Sequence, residues 1–232
     1  MTDKQEDLNK YRQEIDTIDD KIHQLLLQRT ELASKIAVAK GKTTGLAIRP
    51  NREAFIHRRL LKNHHGDFPF ASLARMWREM INAFTLLQAD YELAVYVREG
   101  DMRCWEVARD QFGSIVKMTA YDSVEKTVAQ AENNNNQIAI VPASGIMHLQ
   151  NTKVSLRLPF SGACDTLHDQ YDVYGIAQLD AQPSEKDSTV YIGNTLPKNA
   201  EELYRHGDKI VYAVDGFSTD GIGIYPSRIS IK

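Results

Sequence analysis

The sequence has no long apolar run and only two cysteines. No window of its 232 residues approaches the roughly 18 consecutive apolar residues of a membrane span, and its first residues lack the apolar stretch of a signal peptide. Two cysteines, Cys104 and Cys164, are too few for a disulfide framework, so free thiols are predicted. These absences predict a cytoplasmic protein without a membrane partner.

The sequence also lacks a strong excess of either charge. It has 28 basic and 31 acidic residues, a formal net charge of −3, whereas a nucleic-acid-binding protein usually has a clearly basic face. No phosphate loop, dinucleotide-binding motif or metal-ligand spacing is present. A hydrophobic content of 42% is typical of a folded protein, and the length predicts two domains.

The first 40 residues carry an apolar stripe with helical spacing. Its members are Leu8, Tyr11, Ile15, Ile18, Ile22, Leu25, Leu32, Ile36 and Ala39. No proline or glycine interrupts it, which predicts one helix from about residue 6 to residue 40, roughly 50 Å long. Because the 50 residues that follow cannot cover such a stripe, we expect a second copy of the chain to cover part of it.

Two further helices are predicted before residue 90, from Pro50 to about Asn63 and from about Ala71 to Gln88. From residue 91 the pattern changes to short apolar runs that alternate with helical segments. The expected organisation is an all-helical domain over residues 1–90 and a small α/β domain over residues 91–232. Within the second domain, residues 199–206 are predicted to be helical.

Three cations of the first helix are candidates for binding an anion. Arg29 falls where the apolar stripe expects a hydrophobic side chain, and Lys40 lies eleven residues later, about 16 Å along the helix on nearly the same face. Arg12 lies about 42 Å from Lys40 along the axis, so it reaches the same ligand only from a partner in an antiparallel dimer. Three cations around one pocket suit a dicarboxylate. The alternative is that all three form surface salt bridges on a coiled coil.

Residues 6–90 resemble the all-helical type of chorismate mutase, including the mutase module of bifunctional mutase–prephenate dehydratases. The resemblance rests on the first-helix pattern, on the pair Arg52-Glu53 that opens the second helix and on Gln88 in the third. The first-helix pattern consists of Leu8, Arg12, Ile15, Ile18-Asp19, Ile22, Leu25-Leu26, Arg29, Leu32-Ala33, Ile36 and Lys40. The fold that this implies is an all-α three-helix domain, intertwined as a homodimer and followed by a small α/β domain.

The resemblance implies conversion of chorismate to prephenate without a cofactor, a metal or a covalent intermediate. Arg29 and Arg12 of a partner protomer would bind the two substrate carboxylates. Lys40 and Gln88 would donate to the ether oxygen, where negative charge grows as the C–O bond breaks. Glu53 would accept a hydrogen bond from the ring hydroxyl, with Arg52 beside it.

Two positions depart from the family pattern. Many relatives have an aspartate three residues before the Arg-Glu pair, which helps to hold the ring hydroxyl, and this chain has Arg49. Four residues before Gln88, a small or hydroxyl-bearing residue is common near a substrate carboxylate, and this chain has Phe84. Arg49 and Phe84 are therefore candidate substrate-binding residues, and they leave open a helical dimer scaffold with a vestigial site. An isochorismate pyruvate lyase, which uses the same cations, is a second alternative.

The second half of the chain is similar to the first lobe of prephenate dehydratase, in a truncated form. The Thr-Arg-Phe run of the dehydratase site is missing, and its nearest counterpart is Asp172-Val173-Tyr174, so no dehydratase activity is predicted. The tail from about Lys186 loosely resembles the start of an amino-acid-binding regulatory module. This implies an aromatic amino-acid effector, whereas the structural alternative is a degenerate domain that supports the dimer.

Overall fold

In a computed structural model, residues 2–40, 45–163 and 172–231 are described. The chain separates into two compact units, Met1–Thr43 and Thr44–Lys232. Among the described residues, the first unit contains one helix, and the second contains four α-helices together with a large sheet. The all-helical start and the α/β continuation that the sequence predicts are both confirmed.

The first unit is formed by α1, Thr2–Lys40, a single uninterrupted helix of 39 residues. At 1.5 Å per residue its length is about 58 Å. Its apolar stripe is exposed along the whole helix, with exposed fractions of 58% for Tyr11, 62% for Leu25 and 58% for Leu32. The long first helix is therefore confirmed, and its apolar side chains are left uncovered within one chain.

The second unit begins with α2, Pro50–Asn63, and α3, Phe70–Leu86. Proline suits the first turn of α2 because its missing N–H has no partner there in any helix. One face of each helix is buried, including Ala54 and Ile56 in α2 and Ala74 and Phe84 in α3. Both helices pack with residues beyond 90, and the sequence-based boundary after residue 90 stays a prediction.

In its described residues, the second unit also contains three further helical segments and eleven strands. The helices are α4, Arg103–Phe112, and α5, Val124–Asn133, with a 3₁₀ turn over Ala143–His148. The strands are β1 Glu92–Tyr96, β2 Lys117–Tyr121, β3 Gln137–Pro142, β4 Lys153–Leu158, β5 Ser161–Ala163, β6 Val173–Ala177, β7 Asp187–Gly193, β8 Ala200–His206, β9 Lys209–Asp215, β10 Gly223–Pro226 and β11 Ile229–Ile231. We call residues 91–163 and 172–231 the sheet portion.

The sheet portion contains a nine-stranded mixed sheet in the order β2-β1-β3-β6-β4-β10-β7-β9-β8. Strands β2, β1 and β3 run parallel, and β3 pairs antiparallel with β6. Alternate residues of β3 enter two different cores, Ile138 and Ile140 with α4, and Ala139 and Val141 with α5. Both faces of β3 are covered, which agrees with the uninterrupted apolar run over residues 138–141.

Residues 200–206 form strand β8, so the helix predicted over residues 199–206 is wrong. Glutamate and leucine favour helices, but β8 pairs antiparallel with β9 from Ala200 opposite Val214 to His206 opposite Lys209. The two-residue turn between them begins with Gly207 at φ +56°, which suits a tight hairpin. Tertiary pairing therefore overrides the local helix propensity.

The cysteine prediction is confirmed for Cys104, which is buried and free. Burial raises the pKa of its thiol to about 12, so it is a packing residue at neutral pH. Cys164 lies outside the described residues.

Arg58 connects α2 to the sheet portion through hydrogen bonds. Its guanidinium donates to the carbonyl oxygen of Lys186 at 2.9 Å and of Ser227 at 3.0 Å, and also to the carbonyl oxygen of Ser184. Nearby, Ala54 packs in one cluster with Phe160 and Ile229. The position of α2 therefore depends on residues more than a hundred positions later in the chain.

We expect Arg58→Ala to lower the free energy of unfolding by about 2–3 kcal/mol, because three carbonyl groups lose a charged donor. Thermal unfolding monitored by circular dichroism measures the loss. The neighbouring Arg59→Ala is the matched control, since Arg59 is exposed and its guanidinium lies 6.0 Å from the Phe55 ring centroid. Equal stability of the two variants would contradict the role of Arg58.

Candidate active site

The candidate residues are distributed over both units. Arg12, Arg29 and Lys40 lie on α1, and Arg49, Arg52, Glu53, Phe84 and Gln88 lie in the second unit. Arg12 is exposed and Arg29 is half-buried. The side chain of Lys40 lies outside the described part of the structure. The assembly of these residues into one pocket stays a prediction.

The start of α2 carries the first two candidates of the second unit. Arg49 precedes the helix, and its guanidinium donates to the carbonyl oxygens of Leu46 at 3.0 Å and Ile48 at 2.8 Å. Arg52 is exposed, with its guanidinium carbon 5.2 Å from the Phe55 ring centroid. The structure thus uses Arg49 to hold the loop before α2 and presents Arg52 to solvent.

Glu53 faces inward from α2 and is 9% exposed. Its Oε1 accepts a hydrogen bond from Nε2 of Gln111 on α4 at 2.8 Å, and Nε2 of His57 lies 3.9 Å from the same oxygen. Burial raises the pKa of Glu53 to about 7, against the opposing effects of Arg78 and Gln111. The carboxyl group of Glu53 therefore titrates near neutral pH.

A buried polar network surrounds Glu53. Arg78 on α3 is 4% exposed and donates to the Asp110 carboxylate at 2.7 Å and to the Asp110 carbonyl at 3.2 Å. His57 is fully buried, and burial, together with the charge of Arg78, lowers its pKa to about 4. At neutral pH, His57 is uncharged, and Arg78 is the buried cation that acts on Glu53.

The third helix carries the remaining candidates. Phe84 is buried, with an exposed fraction of 8%, and Gln88 is half-buried just after the end of α3. The side-chain amide of Gln88 donates to the Phe84 carbonyl oxygen at 3.0 Å. The structure therefore brings Phe84 and Gln88 together in one helical turn, with the Gln88 amide engaged by the backbone.

Sequence reasoning missed three residues beside Glu53. His57 carried a signal, because it lies four residues after Glu53 and so on the same helix face. No sequence pattern indicated Arg78 or Gln111, because their contacts depend on how α3 and α4 pack against α2. Gln111 and Glu53 are 58 positions apart in the chain.

The counterpart of the dehydratase motif begins β6. Tyr174 is fully buried, and the Asp172 carboxylate forms ion pairs with Arg157 and Arg228. Arg157 also donates to both carboxylate oxygens of Glu201 at 2.6 Å. These charges neutralise one another within the sheet portion. The absence of dehydratase activity stays a prediction.

Comparison with known proteins identifies the class of the N-terminal segment. Residues 11–89 match the family model described as chorismate mutase type II. The resemblance that the sequence suggested is confirmed for this segment, which contains all eight candidate site residues.

The particular relatives are bifunctional chorismate mutase/prephenate dehydratases. The chain is 29% identical to that of Neisseria gonorrhoeae over 132 residues, which are 57% of this chain and 36% of the relative. It is 28% identical to that of Aquifex aeolicus over 141 residues, which are 59% and 39% of the two chains. A third relative, from Pseudomonas aeruginosa, is 29% identical over 133 residues, or 54% and 36%.

These matches are longer than residues 1–89, so the similarity extends into the sheet portion. The chain spans less than half the length of the curated relatives it matches. No solved structure matches the chain.

None of the helices described has both the length and the apolar composition of a membrane span. Among residues 2–40, 45–163 and 172–231, no group of three or more histidine, cysteine, aspartate or glutamate side chains is placed to hold a metal ion.

Proposed function

We propose that the chain is a chorismate mutase that isomerises chorismate to prephenate. The observation that carries this proposal is the family match over residues 11–89, because that segment contains the candidate cations, the acceptor Glu53 and the donor Gln88. A unimolecular rearrangement needs the substrate bound in a conformation that brings its reacting atoms together. It also needs hydrogen-bond donors directed at the charge that develops in the transition state. The cations, Glu53 and Gln88 of this segment are the groups proposed to supply both.

In the proposed mechanism, Arg29 and the Arg12 of a second protomer bind the two carboxylates and hold the substrate in its reactive conformation. Lys40 and Gln88 donate to the ether oxygen as the C–O bond breaks. Glu53 accepts from the ring hydroxyl and Arg52 adds positive field. Arg49 and Phe84 line the pocket at the two positions that differ from the family pattern.

The test is the loss of chorismate absorbance on addition of the purified full chain. Acid conversion of the product to phenylpyruvate identifies prephenate. Release of pyruvate from isochorismate would instead assign the lyase alternative. No turnover of either compound by a folded protein would contradict the enzyme assignment and favour a scaffold with a vestigial site.

We further propose that the active form is a homodimer. The exposed apolar stripe of α1 supports this, because an uncovered apolar surface of such length is rare in a monomer. A two-fold axis would pair the stripe with its own copy and bring each Arg12 toward the partner's Arg29. A cytoplasmic location and an aromatic amino-acid effector remain predictions from the sequence.

Placing a charge in this stripe is expected to separate the dimer. Ile22→Asp buries a carboxylate without a counter-charge in the proposed interface, so it should sediment as a monomer at micromolar concentration while the wild-type chain sediments as a dimer. Gln24→Asp is the matched control, because residue 24 lies about 200° around the helix from residue 22. A wild-type chain that sediments as a monomer would refute the shared site.

A further inference from the structure

The carboxylate of Glu53 is held by a residue from outside the family segment. The match ends at residue 89, whereas the amide of Gln111 belongs to α4 of the sheet portion. Nε2 of Gln111 donates to Oε1 of Glu53 at 2.8 Å. A group that the family model does not include therefore contacts the acceptor of the proposed reaction.

Gln111 is buried, and its backbone is held by Asn82. It is 3% exposed, and the Gln111 carbonyl oxygen accepts from Nδ2 of Asn82 at 3.0 Å. Asn82 is itself held, since its amide also donates to the Arg78 carbonyl at 2.8 Å and its Oδ1 accepts from the Tyr91 hydroxyl at 2.9 Å. The backbone that carries the Gln111 side chain is therefore anchored to α3 and, through Asn82, to Tyr91 at the start of the sheet portion.

Burial of the Gln111 side chain also has a free-energy cost that an apolar side chain would avoid. Its Oε1 is buried and has no hydrogen-bond partner among the residues that the structure describes. A leucine would fill a similar volume without this unpaired acceptor. The hydrogen bond from Nε2 to Glu53 offsets part of this cost.

We propose that Gln111 is a positioning residue of the mutase site. Its amide binds Oε1 of Glu53, which fixes the carboxylate and leaves Oε2 to accept a hydrogen bond from the ring hydroxyl of the substrate. An ionised carboxylate has several acceptor sites, so the two hydrogen bonds do not compete. This proposal rests on the proposed function, because it assigns to Glu53 the acceptor role in that reaction.

The other groups near Glu53 have defined charge states at neutral pH. His57 on α2 is neutral, and Arg78 on α3 favours the charged carboxylate while it is also paired with Asp110. Burial raises the pKa of Tyr91 far above neutral, so this side chain stays protonated.

These surroundings predict a pH dependence. Glu53 accepts most effectively when ionised, and its pKa is about 7, so kcat/KM should rise with pH through neutrality. Gln111 stabilises the ionised form and therefore lowers the pKa of Glu53. Its removal should move the rising limb of the profile to higher pH by about one unit.

The test compares Gln111→Leu with wild type in the full chain, using chorismate as substrate over a range of pH. We expect kcat/KM to be about five-fold lower at pH 7 and within two-fold of wild type at about pH 9. Gln178→Leu is the matched control, because its amide donates to the carbonyl oxygens of Ala131 and Glu132, far along the chain from Glu53. Gln111→Met serves as a second variant if the leucine variant does not fold.

The outcomes separate the two proposals. A loss that is equal at every pH, or an unchanged limb in an active Gln111→Leu protein, would overturn the role of Gln111 alone. No turnover by wild type would overturn the proposed function. In that case the protonated-carboxyl infrared band that Glu53→Gln removes still reports the contact, because its titration must move to higher pH in Gln111→Leu if Gln111 holds Glu53.

Discussion

The Lys40→Ala variant is expected to lose about 100- to 1,000-fold in kcat with chorismate, equivalent to about 3–4 kcal/mol of barrier. The proposed reaction develops negative charge on the ether oxygen as the C–O bond breaks. An ammonium donor aimed at that oxygen stabilises the transition state more than the ground state, so its removal lowers kcat rather than only raising KM. Initial rates of chorismate loss at saturating substrate measure the effect.

The matched control for this prediction is Lys35→Ala. Lys35 is exposed on the same helix, and its removal takes away the same charge without a proposed donor. Far-ultraviolet circular dichroism and sedimentation show whether each variant keeps its helices and its oligomeric state. If a folded Lys40→Ala dimer keeps wild-type kcat, the donor to the ether oxygen is another residue.

The Gly223→Ala variant is expected to lower the free energy of unfolding by about 3 kcal/mol. A Cβ at this position would lie 2.4 Å from the carbonyl oxygen and 2.6 Å from the backbone nitrogen of Val154 on β4. Backbone atoms cannot rotate away as a flexible side chain can, so β10 and β4 must separate. Because β10 also packs against α2, the damage should reach the helix that carries Glu53.

Thermal unfolding of the full chain measures this loss. Gly193→Ala is the matched control on β7, where the added Cβ would meet the Tyr212 ring at 3.3 Å. That ring can shift by a few tenths of an ångström, so we expect a change below about 1 kcal/mol. A Gly223→Ala protein as stable as the Gly193→Ala protein would show that β4 and β10 are not so closely paired.

The sheet portion makes direct contacts with the mutase-like segment. Arg58 joins α2 to the loops around β7 and β10, and Gln111 contacts Glu53 directly. The relatives' similarity also continues past residue 89. These contacts connect the stability of the sheet with the geometry of a candidate catalytic side chain.

The regular elements with strong periodicity were predictable from sequence. The 39-residue α1 and the buried strand β3 each repeat one simple pattern, and a pattern of that kind has few alternative structures. The strand β8 was not predictable, because its residues favour a helix and its pairing with β9 decides otherwise. The residue types of the candidate site were also predictable from sequence, because charged residues at helical spacing differ clearly from the apolar stripe around them.

By itself, the sequence determined the helical N-terminal segment, the class of that segment and the residues proposed to bind chorismate. It did so because these features depend on local spacing along a helix. Only the tertiary structure decided that Glu53 is buried, that Gln111 holds it and that Arg58 ties α2 to the sheet. These contacts join residues 58 or more positions apart. A local sequence pattern does not indicate which distant residues will exclude water from the same carboxylate.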